Sequence, residues 1–311
     1  MVTAVGGDIG GNIINILSEQ KDIKYNIIGT DINATIFNSN KLNSFYQVDK
    51  VNTFNYRKKI LEILKIHNIH IIVPVSELEI LWFNLNRDLF KKYKLIINNT
   101  NIITYFLNKL ETSKKLKNIN IKTPSTYILS QYNNQINFPI IIKSITSTIS
   151  KNIYKIHSEV ELNYIKSILD QNNYIVQEYI GTIEDEYTTT VYQSNNILKT
   201  ISFKRKLTGG MTSFANIVNE DVLNSNAINI AKAFNLNGSI NIQSRKSGKD
   251  FYVFEINPRF SSTIYIRDYF GFQDLIWSIK DILSLDVSKN NINICKKGSA
   301  ILGYRYDFSN K

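Results

Sequence analysis

The 311-residue chain is 43% hydrophobic and carries 37 Lys+Arg against 26 Asp+Glu, a formal charge of +11. The length predicts about two domains; the longest uncharged stretch, 123–142, holds Pro124, Gln131, Asn133, Asn134, Gln135 and Asn137 and falls short of a membrane span, and the lone Cys295 excludes an internal disulfide or a cysteine-built zinc site. The basic residues fall in short separated groups (57–59, 91–94, 114–117, 204–206, 296–297), the pattern of a solvated lysine-rich surface rather than of a nucleic-acid arm.

In chain order, Val2–Val5, the turn Gly6-Gly7-Asp8-Ile9-Gly10-Gly11 and the run Asn12–Leu17 predict a strand, a glycine turn and a helix. A second strand is expected over Tyr25–Asp31. A helix over Lys58–His67 places Ile60, Leu64 and His67 on one face, and Ile69–Val75 reads as a buried strand. Helical spacing returns over Glu77–Phe90 and extended residues over Lys94–Asn98. This alternation is that of an open, mostly parallel α/β sheet, a Rossmann-like domain spanning 1–98. The remainder, 99–311, reads as an α+β unit. It has a lysine-rich helix over Asn108–Asn118, a break at Pro124, a strand over Phe138–Lys143, a helix over Glu159–Asp170 and a strand over Tyr174–Tyr179. A hairpin over Glu186–Tyr192 and Ile197–Lys206, a helix over Asp221–Phe234, and a last strand pair, Ser239–Ser244 and Phe251–Ile256, complete it.

Two motifs carry candidate chemistry. Gly7, Gly10 and Asp31 resemble a dinucleotide-binding fingerprint, but Ile13 stands where its last glycine belongs, and Tyr-x-x-x-Lys pairs occur only early, at Tyr46 with Lys50 and Tyr105 with Lys109. A structural turn, or one facing an acceptor substrate, is favoured over an NAD-dependent oxidoreductase. The second motif is Glu255-Ile-Asn257-Pro-Arg259. On a strand Glu255 and Asn257 share a face, and Gln243, on the neighbouring strand, presents a third oxygen. Oxygen donors on a rigid hairpin suit Mg²⁺, or Mn²⁺ in its place, and Arg259 offers a fork-shaped cation for a phosphoryl group.

The run Glu255-Ile-Asn-Pro-Arg-Phe-Ser261, with Gln243 before it and Arg267 after it, resembles the metal-binding strand pair of the ATP-grasp superfamily, and is similar to its carbamoyl-phosphate synthase large-chain branch. The resemblance implies a pre-ATP-grasp domain at 1–98 and an ATP-grasp domain at 99–311 with a lid subdomain at about 125–178. It implies that Lys109 and Lys143 hold the α and β phosphates of ATP, that Gln177, Glu178, Tyr179 and Ile180 form the hinge at the adenine, and that Glu186 takes the ribose hydroxyls. Ser150 and Lys151 fit the phosphate-covering loop, whereas Ser147 and Ile149 replace its glycines. Gln243, Glu255 and Asn257 are the implied metal ligands, and Lys143, Arg259 and Arg267 the catalytic cations, with Ser261, Ser262 and Thr263 joining Arg267 at the substrate acid. Lys204, Arg205 and Lys206, followed by Gly209-Gly210, read as a basic strand and loop facing the same cleft.

The implied activity is that of an ATP- and Mg²⁺-dependent carboxylate–amine ligase. Its partners are a small-molecule carboxylate and an amine, without nucleic acid or membrane, and a homodimer is compatible with it. An ATP-binding module with little turnover is the alternative that the glycine-poor loop leaves open. The opening residues lack a signal pattern, so a cytoplasmic setting is expected.

Overall fold

The computed structural model describes residues 1–146, 153–194, 197–285 and 292–303. The N-terminal region contains α1 (Asp8–Glu19), β1 (Ile28–Asp31), β2 (Ser44–Gln47), α2 (Phe54–Ile66), β3 (Ile71–Ile72), α3 (Glu77–Leu85) and β4 (Lys94–Leu95). β1 pairs with β2 and β3 with β4, both parallel, and Val2 bridges Gly29 and Val73 in parallel, joining the two pairs into one sheet. The strand expected over Val2–Val5 shrinks to that bridge because Ala4, at φ 48, already turns the chain toward α1. Gly10 is required by close packing: a Cβ there would lie 2.3 Å from the Ala4 carbonyl oxygen. The helix expected over Glu77–Phe90 ends as α3 at Leu85, with a 3₁₀ turn over Arg87–Phe90.

Next come α4 (Thr100–Leu107), absent from the sequence reading, and α5 (Lys109–Asn118), whose N-cap Asn108 accepts from the Leu110 and Glu111 N–H groups. A four-stranded antiparallel sheet follows, made of β5 (Thr126–Ile128), β6 (Ile140–Ser144), β7 (Ile153–Ile156) and β8 (Tyr174–Glu178), in the order β5-β8-β6-β7, with α6 (Glu159–Ile168). Its core is its own, with Leu129, Ile140, Ile142, Leu162 and Val176 at the centre.

The six-stranded sheet contains β9 (Glu186–Gln193), β10 (Leu198–Thr208), β11 (Met211–Ile217), β12 (Gly238–Ser247), β13 (Asp250–Asn257) and β14 (Ser299–Ile301), in the order β13-β12-β9-β10-β11-β14. α7 (Asp221–Ala233), α4 and α5 cover one face, through Ile102, Phe106, Leu116, Ala227 and Ile230 against Val191, Ile240, Ile242, Val253 and Ile256. α8 (Ile264–Tyr269) and α9 (Asp274–Ile282) lie between the two domains. Phe260, Ile264, Leu275, Ile276 and Ile279 join the core of the N-terminal sheet, while Phe270, Phe272 and Trp277 join a core on the six-stranded sheet. Gly209 and Gly210, read as a loop, both have positive φ, +59° and +82°, and form the tight turn between β10 and β11. No helix among the described residues is long and apolar enough to cross a membrane.

A buried ion pair fixes this junction. Arg267 donates from Nε to Asp274 Oδ1 and from Nη2 to Oδ2, both at 2.8 Å, and from Nη1 to the Ser261 and Thr263 hydroxyls. Asp274 also accepts from Ser239 Oγ at the start of β12. Removing one partner strands the other charge in the interior. We therefore expect Arg267→Met to destabilise the fold by about 3–5 kcal/mol, read as a fall in the denaturant midpoint; an unchanged midpoint would contradict the assignment. Beside the pair, burial and the charge of Asp274 push the Asp268 carboxyl up to about 6. Between about pH 4 and 6 the folded chain holds a proton that the unfolded chain has lost, so stability from this group falls as pH rises through that window. Asp268→Asn is expected to raise the Tm at pH 7.5 and to leave it unchanged at pH 4, as thermal melts at the two pH values would show.

Candidate active site

The strand pair β12–β13 builds the floor of the site. Asn241 pairs with Asn257, Ile242 with Ile256 and Gln243 with Glu255, but the next partner of Ser244 is Val253, so Phe254 is an extra, bulged residue. The bulge lets Val253 and Ile256 both reach the core while Glu255 and Asn257 keep a common face. It also places the Phe254 ring beside the cations, 5.4 Å from Lys143 Nζ and 5.4 Å from the Arg245 guanidinium carbon.

β6 delivers Lys143 opposite this strand. Lys143 is only 5% exposed, and its Nζ lies 3.9 Å from Glu255 Oε2 and 3.5 Å from the Phe254 carbonyl oxygen. Lys109 is buried at the first turn of α5, where its N–H donates to the Ile145 carbonyl. Burial pushes the Lys143 ammonium down to about 8; Glu255 opposes that shift, and Lys109 and Arg245 add to it. Burial alone would raise the Glu255 carboxyl, but Lys109, Lys143, Arg259 and Arg205 outweigh it and hold it below the usual carboxylate range. Arg259 reaches across to the N-terminal domain, where Glu77 Oε1 accepts from its Nη2 at 2.8 Å and its Nε at 3.2 Å, and its Nη2 also lies 3.4 Å from Asn257 Oδ1.

Several expected residues stand elsewhere. Glu186, expected at the ribose, sits between two arginines: its Oε1 accepts from Arg205 at 2.9 Å and its Oε2 from Arg245 at 3.2 Å, inside a buried cluster. Arg267, expected at the substrate acid, is fully buried and donates to Asp274, Ser261 and Thr263. Lys204 and Lys206 pair with Asp185 and Glu184. Ser150, with Ser147, Ile149 and Lys151, lies outside the described residues. At the hinge, Gln177 is buried and donates to Thr126 Oγ1, Glu178 accepts from the Ser125 N–H, and Tyr179 lies under Lys155 and Arg245 at 4.0 and 5.3 Å, with Ile180 half-buried beside it. In the glycine turn Asp31 accepts from the Gly6 N–H and from Asn33, which commits the acid of the dinucleotide-like pattern to its own loop.

Glu77, Arg245 and Phe254 were not singled out from the sequence. Phe254 depends on the bulge and Glu77 on a contact between domains; for Arg245 the signal was available, two residues after Gln243 on the same strand. Among the described residues no group of three His, Cys, Asp or Glu could hold a metal. The set Gln243, Glu255 and Asn257 supplies hard oxygens with one carboxylate, amid cations that outnumber the acids. Such a set fits a divalent cation that arrives with the negative charge of a phosphate, and fits a bare ion poorly.

The parallel N-terminal sheet, the four-stranded antiparallel sheet and the six-stranded sheet, with two buried lysines facing the Glu-x-Asn-x-Arg strand, define an ATP-grasp fold. Residues 170–298 match the family model described as "ATP-grasp in the biosynthetic pathway with Ter operon". No curated protein matches the chain by sequence. Among solved structures it is similar to N5-carboxyaminoimidazole ribonucleotide synthetase from Thermus thermophilus (TM-score 0.76, 10% identity, 96% of this chain and 82% of that one). It is also similar to a biotin carboxylase–β-γ-ATP complex from Campylobacter jejuni (0.75, 13%, 96% and 73%). A third is the biotin carboxylase domain dimer of the Hydrogenobacter thermophilus 2-oxoglutarate carboxylase, in complex with MgADP, ADP and bicarbonate (0.73, 14%, 96% and 72%).

Because the Glu255 charge supports the Lys143 ammonium, Glu255→Gln is expected to move Lys143 to a titration midpoint below about 8. Side-chain NMR of the nucleotide-free protein would follow it; an unchanged or raised midpoint would refute the pairing.

Proposed function

We propose that the protein is an ATP-dependent carboxylate–amine ligase that activates a small-molecule acid as an acyl phosphate. The observation that carries this reading is the buried Lys143 facing Glu255 across the cleft, with Lys109 and Arg259 beside it. In phosphoryl transfer the protein's task is positioning and charge neutralisation, and a cluster of desolvated cations around one strand pair suits it. Lys109 and Lys143 hold the α and β phosphates and Arg259 an oxygen of the transferring group. The carboxylate oxygen of the acid attacks the γ-phosphorus as the bond to ADP breaks. An amine then attacks the acyl carbon, phosphate leaves with the C–O electron pair, and the nitrogen releases its proton.

Gln243, Glu255 and Asn257 would hold Mg²⁺, or Mn²⁺ in its place, which supplies neutralisation of the β and γ phosphate charge when bound. An acyl phosphate is lost to water, so the four-stranded sheet, within 125–178, serves as the cover of the cleft, and Gln177–Ile180 as the edge at the base. Glu186 orients Arg205 and Arg245 in this reading instead of meeting the ribose. The partners are small molecules, an acid and an amine; a cytoplasmic setting and a homodimer, as in the 2-oxoglutarate carboxylase domain, complete the reading.

Turnover is tested by ADP release with Mg-ATP and a panel of acids and amines. Glu255→Gln and Asn257→Ala are each expected to lower it about 100-fold or more while the chain still folds, because they remove charge stabilisation and not core packing. Near-normal activity in both variants would sink the assignment of these residues.

A further inference from the structure

Two arginine–carboxylate pairs stand near the strand end, Arg267–Asp274 tying α8 to α9 and Arg259–Glu77 tying the segment after β13 to α3, and their geometries differ. Arg267 and Asp274 use both carboxylate oxygens and leave neither charge exposed, the arrangement of a structural staple. Arg259 and Glu77 use one. Oε1 takes both the Nε and Nη2 contacts, Oε2 is buried without a hydrogen-bond partner, and the Arg259 side chain stays 21% exposed at the cleft. Its Nη1 donates to the Phe260 carbonyl and its Nη2 makes the weak contact to Asn257, which leaves one Nη1 N–H uncommitted.

Glu77 is itself held rigidly. It opens α3, whose N-cap Ser76 accepts from the Glu79 N–H. The buried Glu79 carboxylate, one turn-face away, accepts from Thr3 Oγ1 at 2.8 Å, Tyr56 OH at 2.9 Å and Ser76 Oγ at 2.7 Å. The first turn of α3 is thus tied to the central segment of the N-terminal sheet and to α2. An arginine on an irregular segment after β13 receives its orientation from a carboxylate anchored in another domain.

We propose that Glu77 is a positioning residue for the ligase step: it aims the Arg259 guanidinium at the transferring phosphoryl group. Glu77 itself does not touch the substrate. The inference rests on the ligase reading above. It gives the N-terminal domain a part in the chemistry through one side chain, and it accounts for a carboxylate that keeps one oxygen unmet in order to take two N–H groups on the other.

The test uses the full chain, Mg-ATP, an amino-acid mixture as the source of acids and hydroxylamine as the nucleophile, with hydroxamate and ADP as products. Mg-ADP affinity is measured separately by calorimetry. Glu77→Ala is expected to lower the hydroxamate rate about 100-fold through misplacement of Arg259, with the KM for ATP and the Kd for Mg-ADP within about twofold of wild type, since the nucleotide's other contacts remain. Glu77→Gln keeps an acceptor oxygen without its charge and should be about tenfold faster than Glu77→Ala, still about tenfold short of wild type. Arg259→Lys, which lacks the fork, should cost as much as Glu77→Ala, and the double variant should cost no more than either single one. Should Glu77→Ala not fold, the same non-additivity is read between Glu77→Gln and Arg259→Lys. An unaltered rate in Glu77→Ala, or losses that multiply with Arg259→Lys, would overturn the proposal while leaving the ligase reading intact. A wild-type chain that binds Mg-ADP yet yields neither hydroxamate nor ADP would instead remove the ligase reading, and this inference with it.

Discussion

The buried pair between Arg267 and Asp274 is the joint on which the molecule is assembled. Through the Ser261 and Thr263 hydroxyls it sets the chain that leaves the Glu-x-Asn-x-Arg strand, and through Ser239 it sets the start of β12. It also locks α8 against α9, and those two helices carry apolar residues into the cores on both sides of them. Desolvating two charges is costly, and the cost is offset only when every donor and acceptor finds a partner, as most do here. The pair therefore contributes geometry more than net stability. Its removal would release the segment that presents Arg259 and the helices that seat the N-terminal domain.

A second constraint shapes the cleft. Lys109, Lys143, Arg205, Arg245 and Arg259 crowd around Glu77, Glu186 and Glu255, and burial depresses the ammonium of Lys143. Like charges at this density repel, and the protein manages them with carboxylates between neighbours: Glu186 hydrogen-bonded between two arginines, Glu255 among the charges of Lys109, Lys143 and Arg259. The positive surplus that remains is what a polyphosphate matches. Binding charge of the opposite sign would relieve repulsion built into the empty cleft, so affinity arises from preorganised cations and not from the net charge of the chain.

The strand pair was legible in the sequence because its signals are local: alternating apolar residues, a short connection, and polar side chains two apart that must share a face. Lys143 was legible as an isolated cation at the end of an apolar strand. What was not legible depends on contacts distant in sequence or on breaks in periodicity. The Phe254 bulge shifts the strict alternation on which the face assignment rests, and the pairing of Glu77 with Arg259 spans the two domains. The partners of Arg267 were not legible, because an arginine after a strand looks the same whether it meets a ligand or a buried aspartate. The partners of Glu186 were hidden for a similar reason, since Arg205 and Arg245 lie on two other strands. The loop expected at Gly209-Gly210 is a two-residue hairpin turn in which both glycines have positive φ.

The division of the chain near residue 98 describes its order better than its packing. α8 and α9 follow the ATP-grasp strands in sequence yet fill the core beneath the N-terminal sheet, so those two regions share buried residues and resist relative motion. The four-stranded sheet differs: its core is self-contained, and it meets the rest through a few polar links, among them the Asn108–Thr146 bridge, the Lys109 N–H to the Ile145 carbonyl, and Lys143 near Glu255. Glu77, Arg259 and the Glu255 strand all lie on the side with shared cores. Packing on that side therefore holds Glu77, Arg259 and Glu255 in fixed relation to one another.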